Sequence, residues 1–197
     1  MGTIHLMICL VSPSKSGGEL PNMQWIYQFS QQKLSWAILA VSALGLLLAA
    51  LYFQHMMGLQ PCINCIYQRT AVIGILVAGI IPLIYMHFAT RILAFFVWAY
   101  SCIQGIIVAR AHLDIIFSKS PFPAICDIVP KFPTFMPMHE WVPSIFAATG
   151  SCNENSWQFL GLGMANWLQI IFSVYLVILG VVLVAQLWCR FISPKSN

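Results

Sequence analysis

Residues 35–53 read SWAILAVSALGLLLAALYF, a run without one charged side chain. A helix that crosses a bilayer needs about 20 predominantly apolar residues. Lipid offers the backbone no hydrogen-bond partner, so such a run has to be helical. Three further stretches have the same character: about 66–86, 91–109 and 165–188. Gly74, Gly79 and Pro82 fall inside the second, where neighbouring helices can compensate for them. The expected fold is all-α, a four-transmembrane-helix bundle with one long extramembrane loop.

Composition agrees. The 197 residues are 60% hydrophobic and 7% charged, against about 25% charged in soluble domains. The net charge of +4 is small and scattered, which argues against a nucleic-acid partner. The length suits one compact unit. We divide the chain into an N-terminal segment 1–34, a four-helix domain 35–188 and a tail 189–197. The outer connections of the domain are about 54–65 and 110–164.

An even number of spans puts both ends on one side. That side and the short 87–90 link carry Lys15, Lys33, Arg91, Arg190 and Lys195 against Glu19. The opposite side carries Arg110, Lys119 and Lys131, with Arg69 at the membrane edge, and also Asp114, Asp127, Glu140 and Glu154. The bias favours cytoplasmic termini. The paired cysteines then face an oxidising compartment, where disulfides persist. Cys9, Cys102 and Cys189 fall in the terminal half or mid-membrane.

Residues 1–22 hold an apolar run, Ile4 to Val11, that is too short to span and has no basic leader. The stretch from Ser12 to Pro21 reads as disordered, and Met23 is a candidate start. From Met23 onward, Trp25, Ile26 and Phe29 suggest a short interfacial helix. The 110–164 loop is too small for a core of its own. Its aromatic, proline-rich part 130–146 either packs within the loop or lies on the lipid surface.

The chemistry-bearing residues cluster on the outer side. Cys62-Ile63-Asn64-Cys65 is a C-x-x-C motif behind Pro61. It places Cys65 at or near a helix N-terminus, where the helix dipole favours a thiolate. Arg69, four residues on, shares that helix face. It is either a snorkelling anchor or a cation for an oxygen-rich ligand or thiolate. The C-x-x-C pair can be redox-active, a metal half-site or a structural staple. As a staple, its small ring contributes only about 2 kcal/mol. Cys126 and Cys152 enclose a loop worth about 3.5 kcal/mol if bridged. That bridge is either structural or, on an accessible loop flanked by prolines and Gly150, open to attack by a partner's thiolate. A four-cysteine zinc site fits less well, because the second pair lacks close spacing. His112 follows the third span as a polar boundary residue, or as a hydrogen-bond donor to a cofactor oxygen. A membrane metal binder built from Cys62, Cys65 and His55 is the competing function. Cys102 reads as a small core residue.

The motifs resemble those of the disulfide-bond formation protein B (DsbB) family, bacterial inner-membrane thiol:quinone oxidoreductases. The similarity covers about residues 23–188. It rests on Tyr52-Phe53-Gln54-His55, on Pro61-Cys62-Ile63-Asn64-Cys65-Ile66-Tyr67-Gln68-Arg69, and on Ser120-Pro121-Phe122-Pro123-Ala124-Ile125-Cys126-Asp127. Trp141-Val142-Pro143 and Phe159-Leu160-Gly161-Leu162 add to it. The resemblance implies that Cys62 and Cys65 are a quinone-proximal pair. It implies that Cys126 and Cys152 oxidise a periplasmic DsbA-like thiol oxidase. Arg69 and His112 would contact ubiquinone or menaquinone, and Trp141 would lie in a membrane-lying helix of the loop. Residues 1–22 extend beyond the family pattern. A vitamin K epoxide reductase-like protein would be expected to carry its C-x-x-C late in the chain, whereas here it opens the second span.

Overall fold

The computed structural model describes residues 21–117, 132, 137–152 and 157–191. Among the described residues four helices are long and apolar enough to cross a membrane: α2 (Lys33–His55), α3 (Ile63–Ile84), α4 (Phe88–Phe117) and α7 (Met164–Phe191). A short helix α1 (Pro21–Ser30) precedes them. Two single-turn helices, α5 (Met138–Trp141) and α6 (Pro143–Phe146), lie in the long loop. A two-stranded antiparallel hairpin, β1 (Gln158–Phe159) and β2 (Leu162–Gly163), leads into α7.

The bundle packs α3 against both α2 and α4, and α4 against α7. Its core joins Trp36, Leu39 and Ala43 of α2 to Ala71, Val72, Ile75 and Ala78 of α3, Ala94, Trp98 and Cys102 of α4, and Phe172 and Leu179 of α7. Many of these residues are small. In lipid there is little hydrophobic force between helices, so association relies on close packing. Gly79 illustrates the tolerance: a Cβ there would sit 2.8 Å from the backbone nitrogen of Ala40. Leucine, isoleucine, valine and phenylalanine side chains elsewhere on α2, α4 and α7 point outward, among them Val41, Leu48, Phe96, Ile107, Val177 and Leu187. In water such a surface would aggregate, but it is the surface a bilayer requires. The protein is a multi-pass membrane protein with four spans.

One boundary differs by about two turns from the sequence expectation. Helix α4 runs on to Phe117 rather than ending near residue 109. The unbroken apolar run stops there, but Arg110, His112 and Asp114 are compatible with helix, apolar residues continue between and after them, and nothing breaks it. At 1.5 Å per residue a helix of 30 residues is about 45 Å long, longer than the hydrocarbon core of about 30 Å. The expected short helix near Met23 is α1. There Trp25 stacks on Phe29 with ring centroids 5.4 Å apart. The helix lies against α7, and Gln186 Nε2 donates to Ser30 Oγ at 3.4 Å. Residues 1–20 lie outside the described residues.

Candidate thiol site at the outer mouth of the bundle

After α2 the chain turns at Gly58, whose φ of +69° suits glycine, and Pro61 leads into α3. Cys62 is the N-cap of α3, with extended φ and ψ, and its sulfur accepts a hydrogen bond from the Cys65 backbone N–H at 3.4 Å. Serine or aspartate would ordinarily fill that role. The two sulfurs stand 2.9 Å apart as hydrogen-bonded thiols. The C-x-x-C pair therefore occupies the first turn of a helix, as the sequence led us to expect.

His112 comes from α4. It is 5% exposed, and its Nε2 lies 3.6 Å from Cys62 Sγ. It is not a boundary residue, because the longer α4 carries it into the bundle beside the thiols. Cys152 arrives from the loop, packed against Cys62 and Ile63. The expectation of an accessible loop cysteine is corrected here: Cys152 is 2% exposed. The cause is a backbone strap. The N–H groups of Thr149 and Gly150 both donate to the Pro61 carbonyl at 3.0 Å, and Thr149 Oγ1 donates to Gln60 Oε1. A Cβ on Gly150 would come within 2.2 Å of the Gln60 carbonyl oxygen, so only glycine allows this approach. Cys126 lies outside the described residues.

The surroundings set the protonation of Cys62. A hydrogen bond with Cys152 pulls its pKa down. The hydrogen bond with Cys65 and burial push it up more, to about 12. Cys62 is thus the member of the pair that holds its proton.

Arg69 is 6% exposed. Its Nη1 donates to Gln54 Oε1 at 2.8 Å and to the Ile145 carbonyl, while Gln54 Nε2 donates to the Ser144 carbonyl at 2.9 Å. The guanidinium is no snorkelling anchor: it joins α2 and α3 to the loop. Part of that loop packs inward. Phe146 is buried, and Phe132 sits edge-on to Tyr67 and Phe146. Trp141 and Val142 remain exposed, so packing within the loop accounts for only part of the aromatic stretch.

Cys62, Cys65 and His112 line a cleft of about 290 Å³, together with Leu59, Ile116, Trp157 and Met164. A larger groove of about 510 Å³ runs along α7 past Asn166, Gln169 and Ser173, but it has no sulfur or histidine in its wall. The wall of this cleft is mixed: Gln60, Ser151 and His112 stand beside the two thiols and the apolar Leu59, Ile116, Trp157 and Met164. Buried donors lacking a partner among the described residues include His112 Nδ1 and Arg69 Nε. Arg69 does not line this cleft. His55 is exposed. Among the described residues, the ligand-bearing group is Cys62, Cys65 and His112, not a set containing His55. The strap of Gln60, Thr149 and Gly150 and the bridging role of Gln54 escaped sequence reasoning. Gln54 did offer a signal, as a polar side chain in the last turn of an apolar span. Cys102 is fully buried in the core, as expected.

Comparison with known proteins accords with this geometry. The family model for disulfide bond formation protein DsbB matches residues 32–182. A disulfide bond formation protein B from Pseudoalteromonas translucida (strain TAC 125) is 45% identical over 169 residues, covering 85% of this chain and 98% of that one. That of Haemophilus influenzae (strain 86-028NP) is 46% identical over 160 residues, covering 81% and 90%. That of Yersinia pestis (strain Pestoides F) is 43% identical over 175 residues, covering 89% and 97%. By this match and these identities the chain belongs to the DsbB family and is a disulfide-generating membrane oxidoreductase.

Proposed function

We propose that the chain reoxidises a periplasmic DsbA-like thiol oxidase and passes the electrons to a membrane quinone, ubiquinone or menaquinone. Cys126, Cys152, Cys62 and Cys65 carry the electrons. The partner's thiolate attacks Cys126 of a Cys126–Cys152 disulfide, forming a mixed disulfide and releasing Cys152 as a thiolate. Cys152 attacks Cys62 of a Cys62–Cys65 disulfide, which frees Cys65. The partner's second thiol resolves the mixed disulfide at Cys126. Cys126 then attacks Cys152, and Cys62 is released. The net result is one new disulfide in the partner and one dithiol at Cys62 and Cys65. A bound quinone supplies the sink for those two electrons and two protons, leaving as quinol and regenerating the Cys62–Cys65 disulfide.

The contact of Cys152 with Cys62 is the observation that carries this reading, because sulfur exchange requires the attacking thiolate to reach a disulfide sulfur. His112, lining the cleft, is the residue to hold a quinone carbonyl. Arg69 is a second candidate through its unengaged Nε. In this reading residues 35–188 form one bundle in the inner membrane, the ends 1–34 and 189–197 are cytoplasmic, and the cysteine pairs are periplasmic.

The test is anaerobic mixing of purified protein, quinone and a reduced DsbA-like oxidase, followed by absorbance. Quinol should appear in step with partner disulfide. Partner oxidation that proceeds equally without quinone would overturn the proposal. Impermeant alkylation of intact cells tests the topology, since labelling of Cys62 and Cys126 from opposite faces would end it.

A further inference from the structure

We propose that the reduced enzyme is also a site for a thiophilic divalent cation of the zinc class, held by Cys62, Cys65 and His112, and that its capture blocks the thiol relay. The ligand atoms of these three residues all lie within 4.8 Å of one another. They come from α3 and α4, so packing within the bundle holds them together.

The spacing suits a tetrahedral ion. Zinc bonds of about 2.3 Å to sulfur and 2.0–2.1 Å to nitrogen put neighbouring S and N ligands about 3.6 Å apart. Cys62 Sγ and His112 Nε2 are 3.6 Å apart. Two sulfurs on one such ion stand about 3.8 Å apart, so the 2.9 Å pair must open slightly. Half-buried Cys65, which borders the cleft, has room to move. Three protein ligands leave a fourth position open to solvent or a further ligand.

Binding is an exchange of protons, not electrons. Whatever protons the two sulfurs still carry are lost, two metal–sulfur bonds form, and the ion keeps its charge. A Cys62–Cys65 disulfide offers no thiolate, so the oxidised enzyme has no such site. Capture therefore happens only when electrons have reached the inner pair and have not yet left. The binding is independent of the electron path proposed above, whereas the resulting inhibition presupposes it.

The test uses the full chain in detergent, reduced and desalted without oxygen, then titrated with Zn²⁺ against a chromophoric chelator. Reduced protein should bind one ion at this site and release protons as it does so. Oxidised protein and Cys65→Ser should not. Co²⁺ in place of Zn²⁺ should give a thiolate-to-metal absorption of two sulfurs in the wild type, a readout that needs no variant. His112→Ala should weaken binding at least about tenfold, while Cys152→Ser should keep it. Zn²⁺ should stop quinone reduction and a chelator should restore it. Absence of stoichiometric binding by reduced protein, equal binding by oxidised protein, or unchanged affinity in His112→Ala would each overturn the site. Quinone reduction in metal-free buffer reports on the electron path separately.

Discussion

Cys152 packs against Cys62, and both residues are 2% exposed. A loop cysteine and a helix-capping cysteine thus share one dry contact at the end of α3. Exchange between them needs no long excursion of either segment.

Each of the four relay cysteines should be indispensable to turnover. Residues that act as a unit are strongly non-additive, and losing one is about as damaging as losing all. Cys62→Ser, Cys65→Ser, Cys126→Ser and Cys152→Ser should therefore fall to the same low rate of quinone reduction. Stopped-flow absorbance with reduced partner measures this. Full turnover in any one of them would break the relay.

Gly150→Ala should separate the two inner sulfurs without touching either. The added methyl would meet the Gln60 carbonyl at 2.2 Å, and two backbone hydrogen bonds to Pro61 would stretch. Overpacking of this kind costs about 1–3 kcal/mol. We expect slower formation of a Cys62–Cys152 disulfide, read by mass spectrometry of quenched samples. Gly161→Ala is the control: that glycine also has a special backbone, with φ of +77°, but no close neighbour. An unchanged exchange rate in Gly150→Ala would remove the strap from the mechanism.

Cys62 should lag in alkylation. The hydrogen bond with Cys65 and burial push its pKa up to about 12, so at pH 8 its thiolate fraction is far below that of an ordinary cysteine. The sign follows from the protonated form being favoured. Reactivity should keep rising with pH well past 9. In Cys65→Ala the hydrogen bond that raises the value is gone, so Cys62 should react faster at neutral pH. Peptide mapping after iodoacetamide pulses reads both. A Cys62 rate that levels off near pH 9 would refute the assignment.

Four spans were legible in the sequence because apolar length alone decides them, and 35–53 could be nothing else in lipid. The C-x-x-C pair was legible because Pro61 and the run behind it fix a helix start. His112 was harder to place. The apolar run ends before it, yet the helix continues for two more turns, and periodicity does not reveal how far a polar continuation goes. Burial of Cys152 was hidden for another reason: it depends on Thr149 and Gly150 meeting Pro61, a contact between distant segments made by backbone atoms. Such atoms are the same in every residue except proline and leave no mark in composition.

Arg69 and Gln54 allow two roles to be separated. Nη1 of Arg69 holds Gln54 and the Ile145 carbonyl, and Gln54 holds Ser144. Removing a buried partner leaves polar groups unsatisfied, at about 1–3 kcal/mol. Gln54→Leu should therefore loosen residues 144–152, seen as faster amide exchange there, with little change in quinone affinity. Arg69→Ala should loosen the same stretch and also raise the quinone KM, because it deletes the unengaged Nε as well. Arg69→Lys should rescue neither fully, since a point charge cannot replace a planar fork of donors. If Arg69→Ala changes loop exchange alone, the guanidinium is a clamp and His112 remains the candidate for the quinone oxygen.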